Sequence, residues 1–411
     1  MISGVPSLLA PLVWAGLLWL PGTLLLEKRP TLAELTFLPL ALSPLLIGVL
    51  ASVCWGLGLP LKPLLVLLSA AAAFQCVRRE PEDWRPSRGQ VGVLFLGLGL
   101  VVIALIPSLF QEALRLRDDA RLHIPVIHSV LLTGVPPENP FLAGESLPYF
   151  WFFHVILAVV TDVTRLSADW VLSLFNGQAV VLLLWGLWRW GERLGMDARS
   201  RALTLILVAF GLSPQGWMRL LQAQAQHPDL NWNLIHASGV SALFPILSPE
   251  DPRLVATFTK VAISNALPFS LGSGVIALSF YPKRNRDWFL QTLLLLSCLG
   301  THMAIGLLIL VGRCALAFFS TLLKLASRNQ LLKAVLQALL VVAIAAPYVW
   351  AVVGSRDSGA LSLGFFSSRA IDLQIPLIGL WILSLPAIIH AFRHKDRKTL
   401  AVFLTLVPAL A

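Results

Sequence analysis

The chain has 411 residues, of which 57% are hydrophobic and only 13% are charged, and its mean hydropathy is +0.80. Because soluble domains carry about 25% charged residues, this composition excludes an ordinary soluble enzyme and a disordered protein. The net charge of +10 is typical of some nucleic-acid-binding proteins, but in so apolar a chain basic membrane loops explain it better. The four cysteines show neither a disulfide framework nor a zinc-binding spacing. We therefore expect a polytopic membrane protein with no nucleic-acid partner.

The apolar runs predict an all-α polytopic membrane protein with about 11–12 transmembrane helices, since a helix needs about 20 apolar residues to cross the hydrocarbon core. The first run lacks a basic region before it and is interpreted as a retained span rather than a cleaved signal. The last run is still apolar at Ala411, so we expect the natural protein to continue beyond it. The predicted spans lie near residues 5–26, 35–57, 62–77, 91–110, 169–189, 202–218, 264–281, 288–301, 304–323, 334–352 and 375–392, with a last one from 399.

The distribution of charge predicts the orientation of these spans. With the N-terminus outside, the inner loops hold 20 of the 31 basic residues and the outer loops hold 10, while Arg313 falls within a span. The outer loops also hold 12 of the 21 acidic residues. Because cytoplasmic loops concentrate Lys and Arg, this asymmetry supports the predicted alternation.

One apolar segment, residues 147–163, is not counted as a span. If it crossed the membrane, every later basic loop would move to the outside, against the charge rule. It also carries His154 and Asp162, and an ionised Asp at bilayer depth costs about 2.5–3.5 kcal/mol. We therefore expect it to lie in the outer interface or to dip in shallowly; the alternative is an ordinary span with one polar residue.

The spans and loops predict three parts: an N-terminal three-span segment (1–90), a transmembrane core (91–392), and a basic inner loop with an incomplete final span (393–411). Within the core, two outer loops are long, residues 111–168 and 219–263. Long loops in a compact protein usually carry function, so we expect the functional site at the outer face.

The first long loop is expected to contain two interfacial helices, the second of them residues 147–163. The first would start at Pro125, since proline is tolerated in the first turn of a helix. Such a helix would be amphipathic and lie on the membrane surface. Its predicted apolar stripe comprises Ile124, Ile127, Val130 and Leu131, with His128 and Ser129 on the opposite face.

An acidic pair, Asp118 and Asp119, stands between a span and this amphipathic helix. Two such carboxylates can accept a proton from an attacking hydroxyl, if burial or mutual repulsion raises one pKa. They can instead hold a divalent cation, Mg²⁺ or Mn²⁺, that neutralises a phosphate. The alternative is a solvated pair balanced by Arg117 and Arg121. If the turn is helical, Asp119 shares a face with His123, four residues on.

Other polar residues of the predicted outer face are candidates for substrate binding. Each has an ordinary explanation: a histidine at a membrane turn is often a packing residue, and a loop cation often contacts lipid headgroups. Arginine and lysine there could equally meet a phosphate. The candidates are His123, Tyr149, His154, Lys260, His302 and Arg356.

Taken in order, the first long loop holds the acidic pair, an interfacial helix, the run GVPPENP, the pattern L-P-Y-x-W-x-x-H and a second interfacial helix. Over about residues 91–311 this order resembles the C-type glycosyltransferase superfamily, and is most similar to its bacterial dolichyl-phosphate-mannose-mannosyltransferase-like branch. The resemblance implies that the acidic residue is catalytic, at Asp118 or Asp119, and that Tyr149 matches a tyrosine before the second interfacial helix. Many relatives have Glu beside the catalytic acid, where this chain has Asp.

The resemblance implies a multi-pass protein of a bacterial-type plasma membrane, acting in the cell envelope on its outer side. It would transfer a sugar from a polyprenyl phosphate to a glycan, lipid or protein acceptor, with inversion, and would contact membrane lipid. Lys260 and Arg356 are candidates for the carrier phosphate by location alone. Alternatives are a transporter or flippase, or a polymerase or ligase, for lipid-linked saccharides. Transporters keep polar groups near the midplane and show related halves, which this sequence does not. A scaffold without catalytic activity is a further reading.

Overall fold

The fold is taken from a computed structural model of the chain, which describes residues 10–27, 30–79, 88–110, 120–145, 147, 149–210, 266–280, 284–353 and 402. These residues form thirteen α-helices and no β-strand. The helices are α1 (Ala10–Leu18), α2 (Leu20–Thr23), α3 (Leu32–Gly56), α4 (Leu61–Val77), α5 (Arg88–Phe110), α6 (Ala120–Thr133), α7 (Phe152–Thr164), α8 (Ala168–Arg193), α9 (Ala198–Phe210), α10 (Leu267–Ser279), α11 (Asn285–Thr301), α12 (Met303–Leu322) and α13 (Arg328–Val353).

The predicted fold class is confirmed: the protein is an all-α polytopic membrane protein. Four of the described helices, α3, α8, α12 and α13, are long and apolar enough to cross a bilayer. The other described helices fall on predicted spans or on the first long loop. The predicted span 375–392 lies outside the described residues, as do the end of the one predicted near 202–218 and, apart from residue 402, the run from 399.

Several helices begin earlier than the apolar pattern predicts, because a capping box sets their N-terminus. Before α3, the Thr31 hydroxyl accepts the Glu34 N–H while the Glu34 carboxylate accepts the Thr31 N–H, each at 3.2 Å. Before α13, the Ser327 N–H donates to the Gln330 side chain at 2.9 Å and the Gln330 N–H donates to the Ser327 hydroxyl at 3.4 Å. Each box satisfies backbone donors that the first turn leaves free, so polar residues extend the helix ahead of its apolar run.

The first predicted span is two helices, because the chain breaks at Trp19 and restarts with a proline in the first turn of α2. Ser43 of α3 holds this break together: its hydroxyl accepts the Gly22 N–H at 2.7 Å and donates to the Trp19 carbonyl at 3.0 Å. Only glycine fits at position 22, since a Cβ would lie 2.6 Å from the Cα of Pro39. The break therefore packs directly on the backbone of α3.

Two prolines inside α3 leave two carbonyl groups without their helical donors. Pro39 frees the Leu35 carbonyl, which accepts the indole N–H of Trp19 at 3.0 Å. Pro44 frees the Leu40 carbonyl, which accepts the amide of Gln178 at 3.0 Å. An unpaired backbone group in an apolar medium is costly. These contacts therefore explain the half-buried Trp19 and Gln178, and they join the break between α1 and α2, and α8, to α3.

Contacts divide the chain into two compact units. In unit 1 the core is built on α8, where Trp185 is fully buried and stacks on Phe37 of α3 with 4.9 Å between ring centroids. In unit 2, Asp197 accepts the Ser200 N–H at 2.7 Å at the start of α9. Hydrogen bonds from the Ser200 hydroxyl and N–H lower the pKa of the Asp197 carboxyl. Unit 1 comprises Met1–Arg193, Ile263–Leu310 and Leu336–Asp357, and unit 2 comprises Leu194–Ala262, Val311–Val335 and Ser358–Ala411.

Ion pairs in unit 1 join segments that the predicted alternation assigns to one side. Glu27, after α2, pairs with Arg284 and, at 3.2 Å, with Arg286, both beside the start of α11. Glu34, in the first turn of α3, pairs with Arg189 near the end of α8 at 3.5 Å. All five residues belong to predicted inner ends of helices. Their meeting supports the alternation of helix directions that the charges predict.

The length and end contacts of helix α7 agree with the expectation that it does not cross the membrane. Its 13 residues span about 20 Å at 1.5 Å per residue, short of the roughly 30 Å hydrocarbon core. Asp162, near its end, pairs with Lys62 at the start of α4 at 3.1 Å. Phe152, at its start, packs against Gly300 at the end of α11, where a Cβ would lie 3.1 Å from the ring. By the alternation both contacts belong to the outer ends of helices. Ten of the residues of α7 are buried, so the helix packs inside the protein rather than on its surface.

Helix α6 differs from its prediction in start and in register. It begins at Ala120 and runs through Pro125, whereas the sequence predicted a start at the proline. The prediction placed Ser129 on the polar face, but its side chain is buried and its hydroxyl donates to the Glu138 carbonyl at 2.6 Å. His128 is exposed, as expected. The buried residues of the helix are Ala120, His123, Val126, Ile127, Ser129 and Val130.

Candidate functional site

Two buried histidines meet where α6 packs on α7. Nδ1 of His123 lies 2.7 Å from Nε2 of His154, within hydrogen-bonding distance. The two residues are 2% and 1% exposed, although 31 positions separate them in the sequence. His123 lies on the face of α6 that packs against α7, and His154 lies in the first turn of α7. The hydrogen bond therefore joins the two short helices directly.

Tyr149 completes a three-ring cluster with the histidine pair. Its ring centroid lies 6.3 Å from that of His123 and 5.7 Å from that of His154. Phe153 closes another side, with its ring edge-on to both imidazoles at 5.6 Å and 5.5 Å. Three of the predicted substrate-binding residues, His123, Tyr149 and His154, thus lie together. This apolar packing keeps water away from the hydrogen bond between the rings.

Burial holds His154 in its neutral form. Desolvation is the main cause that lowers the pKa of His154 well below 6.5, and the charge of a protonated His123 would lower it further. The backbone carbonyls of Phe150 and Trp151 raise the pKa of His154, so they favour a proton on the ring nitrogen that faces them. That nitrogen is Nδ1, since Nε2 faces His123, and in the described part of the chain it has no partner at hydrogen-bonding geometry. Nε2 is then the acceptor and Nδ1 of His123 the donor.

Tyr348 of α13 ties the start of α7 to the end of α11. Its hydroxyl accepts the Phe152 N–H and donates to the Gly300 carbonyl, both at 3.3 Å. A helix leaves its first N–H groups and last C=O groups unpaired, and one hydroxyl here satisfies one of each. The ring also packs edge-on against Trp151, with 4.9 Å between centroids. Sequence reasoning missed Tyr348, although it is one of only three tyrosines and stands in an apolar run.

Replacing Tyr348 by Phe should lower the free energy of unfolding by about 1 kcal/mol, because two backbone groups lose their partner while the ring packing remains. The measurement is unfolding of the purified protein in mixed detergent micelles. Trp350→Phe is the matched control, since that side chain is 79% exposed and should change stability by less than about 0.5 kcal/mol. Equal effects of the two variants would contradict the bridging role of the hydroxyl.

His302 lies at the turn between α11 and α12, two residues after Gly300. It is half-buried, its Nδ1 accepts the Ile305 N–H at 3.4 Å, and desolvation lowers its pKa. This arrangement caps the start of α12, since a side-chain acceptor satisfies a free donor of the first turn. The position is next to the Phe152–Gly300 contact, so the turn borders the start of α7.

Four of the predicted site residues, Asp118, Asp119, Lys260 and Arg356, lie outside the described residues. In the described part of the chain, no group of three or more His, Cys, Asp or Glu side chains could hold a metal ion. The histidine pair itself does not suit a metal. Its two nitrogens are 2.7 Å apart and hydrogen-bonded, whereas two ligands on one tetrahedral ion with bonds near 2.0 Å stand roughly 3.3 Å apart.

Comparisons with known proteins give no relative from which a function could be carried over: no family model, no curated protein and no solved structure matches the chain.

Proposed function

We propose that the protein is an integral membrane glycosyltransferase that takes a sugar from a polyprenyl-phosphate carrier at the outer face of the membrane. One observation carries the proposal: two helices too short to cross a bilayer, α6 and α7, pack together directly after the acidic pair Asp118–Asp119. Their contact brings together His123, Tyr149 and His154. A carrier lipid cannot leave the bilayer, so an enzyme that uses it needs its reacting groups on elements at the membrane surface.

The proposed reaction is an inverting displacement. A carboxylate of Asp118 or Asp119 accepts the proton of the acceptor hydroxyl, whose oxygen attacks the anomeric carbon of the sugar. The bond between that carbon and the phosphate oxygen breaks, and the polyprenyl phosphate leaves with the bonding electrons. Lys260 and Arg356 are candidates to stabilise the charge of the leaving phosphate. A divalent cation held by the acidic pair would supply the same stabilisation.

The histidine pair has a positioning role in this proposal. His123 and His154 are almost fully buried and bond to each other, so they fix α6 against α7 instead of contacting solvent. Asp119 directly precedes the first residue of α6, and its spacing of four from His123 predicts that both occupy one helix face if the turn continues. Anchoring His123 would then hold the carboxylate within reach of a substrate in the interface.

The test is sugar release from labelled polyprenyl-phosphate hexoses and pentoses by membranes that contain the full chain. We expect Asp118→Asn and Asp119→Asn together to reduce release by at least about 100-fold, since a positioned general base contributes that much or more. Glu145→Gln is the matched control: it removes one carboxylate from an exposed position of the same loop and should leave release unchanged.

Folding is checked by the gel-filtration profile and melting temperature of each purified variant. Release that persists in a folded double variant would refute the proposed base. If the folded parent releases no sugar from any donor, the proposal fails and transport or polymerisation of lipid-linked saccharides takes its place; uptake of the same labelled lipids into vesicles then measures transport.

A further inference from the structure

Arg79, just past the end of α4, is a buried cation whose hydrogen-bonding capacity is mostly unused. Its side chain is 8% exposed, and Nη2 donates to the Leu26 carbonyl at 3.0 Å. Nε and Nη1 have no hydrogen-bond partner among the residues that the structure describes. In the part of the chain that the structure describes, no carboxylate pairs with this guanidinium. A buried charge without a counter-ion is costly, so Arg79 is poorly explained as a capping residue alone.

Two further arginines converge on the same turn. Arg286 donates to the carbonyl of Leu25, the neighbour of the residue that Arg79 contacts, and pairs with Glu27 at 3.2 Å. Arg284 pairs with Glu27 as well. Three guanidinium groups thus gather where three segments of unit 1 meet: the Leu25–Glu27 turn, the end of α4 and the start of α11. Desolvation lowers the pKa of both Arg79 and Arg286.

The charges of this group do not balance. Glu27 is shared by Arg284 and Arg286, and Asp287 lies 3.6 Å from Arg284. Among the described residues, three cations therefore face two carboxylates, and Arg79 is the cation that pairs with neither. An oxyanion is the ligand that would complete the group, because a planar guanidinium binds phosphate through parallel N–H donors.

We infer that Arg79, supported by Arg286, binds a phosphate oxyanion at the Leu25–Glu27 turn, carried by an anionic lipid headgroup or free in solution. All three segments belong to predicted inner ends of helices, and the cytoplasmic leaflet is where anionic headgroups are enriched. The site, referred to below as the Arg79 site, lies at the opposite predicted side from the histidine pair. The test of the Arg79 site therefore does not depend on whether the protein transfers a sugar.

The experiment measures the melting temperature of the full chain purified in a neutral detergent, with three additives. These are short-chain phosphatidylglycerol, the diacylglycerol with the same chains, and sodium phosphate against sodium chloride of equal ionic strength. A ligand that binds only the folded state raises the melting temperature, and the shift grows with concentration above Kd. We expect phosphatidylglycerol to raise it and diacylglycerol to leave it unchanged.

Arg79→Gln should weaken the apparent affinity for phosphatidylglycerol at least about tenfold, the size expected for one charge-assisted contact. Arg78→Gln is the matched control, because it removes the same charge from the adjacent residue, which is exposed and lies 4.0 Å over the Phe74 ring. A phosphate shift equal to that of the lipid, lost in Arg79→Gln, would identify the free anion as the ligand.

Equal loss in the Arg78 and Arg79 variants, or an equal shift with diacylglycerol, would overturn the Arg79 site. If Arg79→Gln does not fold, Arg286→Gln is the second variant, and it should also weaken the phosphatidylglycerol shift. Comparing the three additives on the unsubstituted protein shows whether the phosphate group is what the site binds, without any substitution.

Discussion

Replacing Gly306 by Ala is expected to lower the free energy of unfolding by about 2 kcal/mol or more, since overpacking typically costs about 1–3 kcal/mol. Gly306 lies in the first turn of α12, where a Cβ would stand 2.3 Å from the Cα of Leu299 in α11. A backbone atom cannot rotate away as a side-chain end can. The hairpin between α11 and α12 would have to open, and with it the turn that holds His302 and the Gly300 carbonyl bonded to Tyr348.

The same helix supplies the control for this prediction. Within the described residues, no atom lies within 4 Å of a Cβ added at Gly312. Gly312→Ala should therefore leave the stability unchanged or raise it by up to about 1 kcal/mol through helix propensity. Both variants add one methyl group to α12, and only their surroundings differ. The measurement is unfolding in mixed micelles at constant detergent composition. Equal stabilities of the two variants would show that α11 and α12 do not approach as closely as described.

Most of the helix positions could be predicted from the hydrophobicity of the sequence. A run of about 20 apolar residues has few alternatives in a bilayer, because every backbone group must be paired inside the segment. The predicted spans near 62–77 and 304–323 therefore match α4 and α12 within one residue at each end. The break at Trp19 could not be predicted in this way, since it depends on Ser43, a residue of another helix.

The residues of the candidate site could be predicted from the sequence, but the contacts between them could not. Polar residues in a long loop indicated His123 and His154, but the 2.7 Å contact between them depends on how α6 turns about its own axis. The sequence pattern predicts the wrong rotation of α6. It places Ser129 on the polar face, whereas the Ser129 hydroxyl is buried and donates a hydrogen bond to the Glu138 carbonyl. Gln178 could not be matched to Leu40 either, since their pairing follows from a proline 134 positions earlier in the chain.

The buried histidine predicts a loss of stability in acid. The pKa of His154 is well below 6.5 in the folded protein and about 6.5 in the unfolded chain. Below about pH 6.5 the unfolded chain therefore binds a proton that the folded protein does not, so the free energy of unfolding falls as the pH falls. Above about pH 6.5 both forms are neutral and this contribution is constant. The expected slope is about 1.4 kcal/mol per pH unit, down to the folded-state pKa.

His154→Gln removes this titration and should flatten the stability profile from about pH 6.5 down towards the folded-state pKa of His154. The Gln side chain can still accept the hydrogen bond from His123. The desolvated His302 contributes a slope of the same sign, so part of the acid dependence should remain. His128→Gln, on the exposed face of α6, is the matched control and should keep the parent profile. A His154→Gln profile as steep as that of the parent would mean that His154 accepts a proton in the folded protein, and the neutral acceptor role of its Nε2 would be wrong.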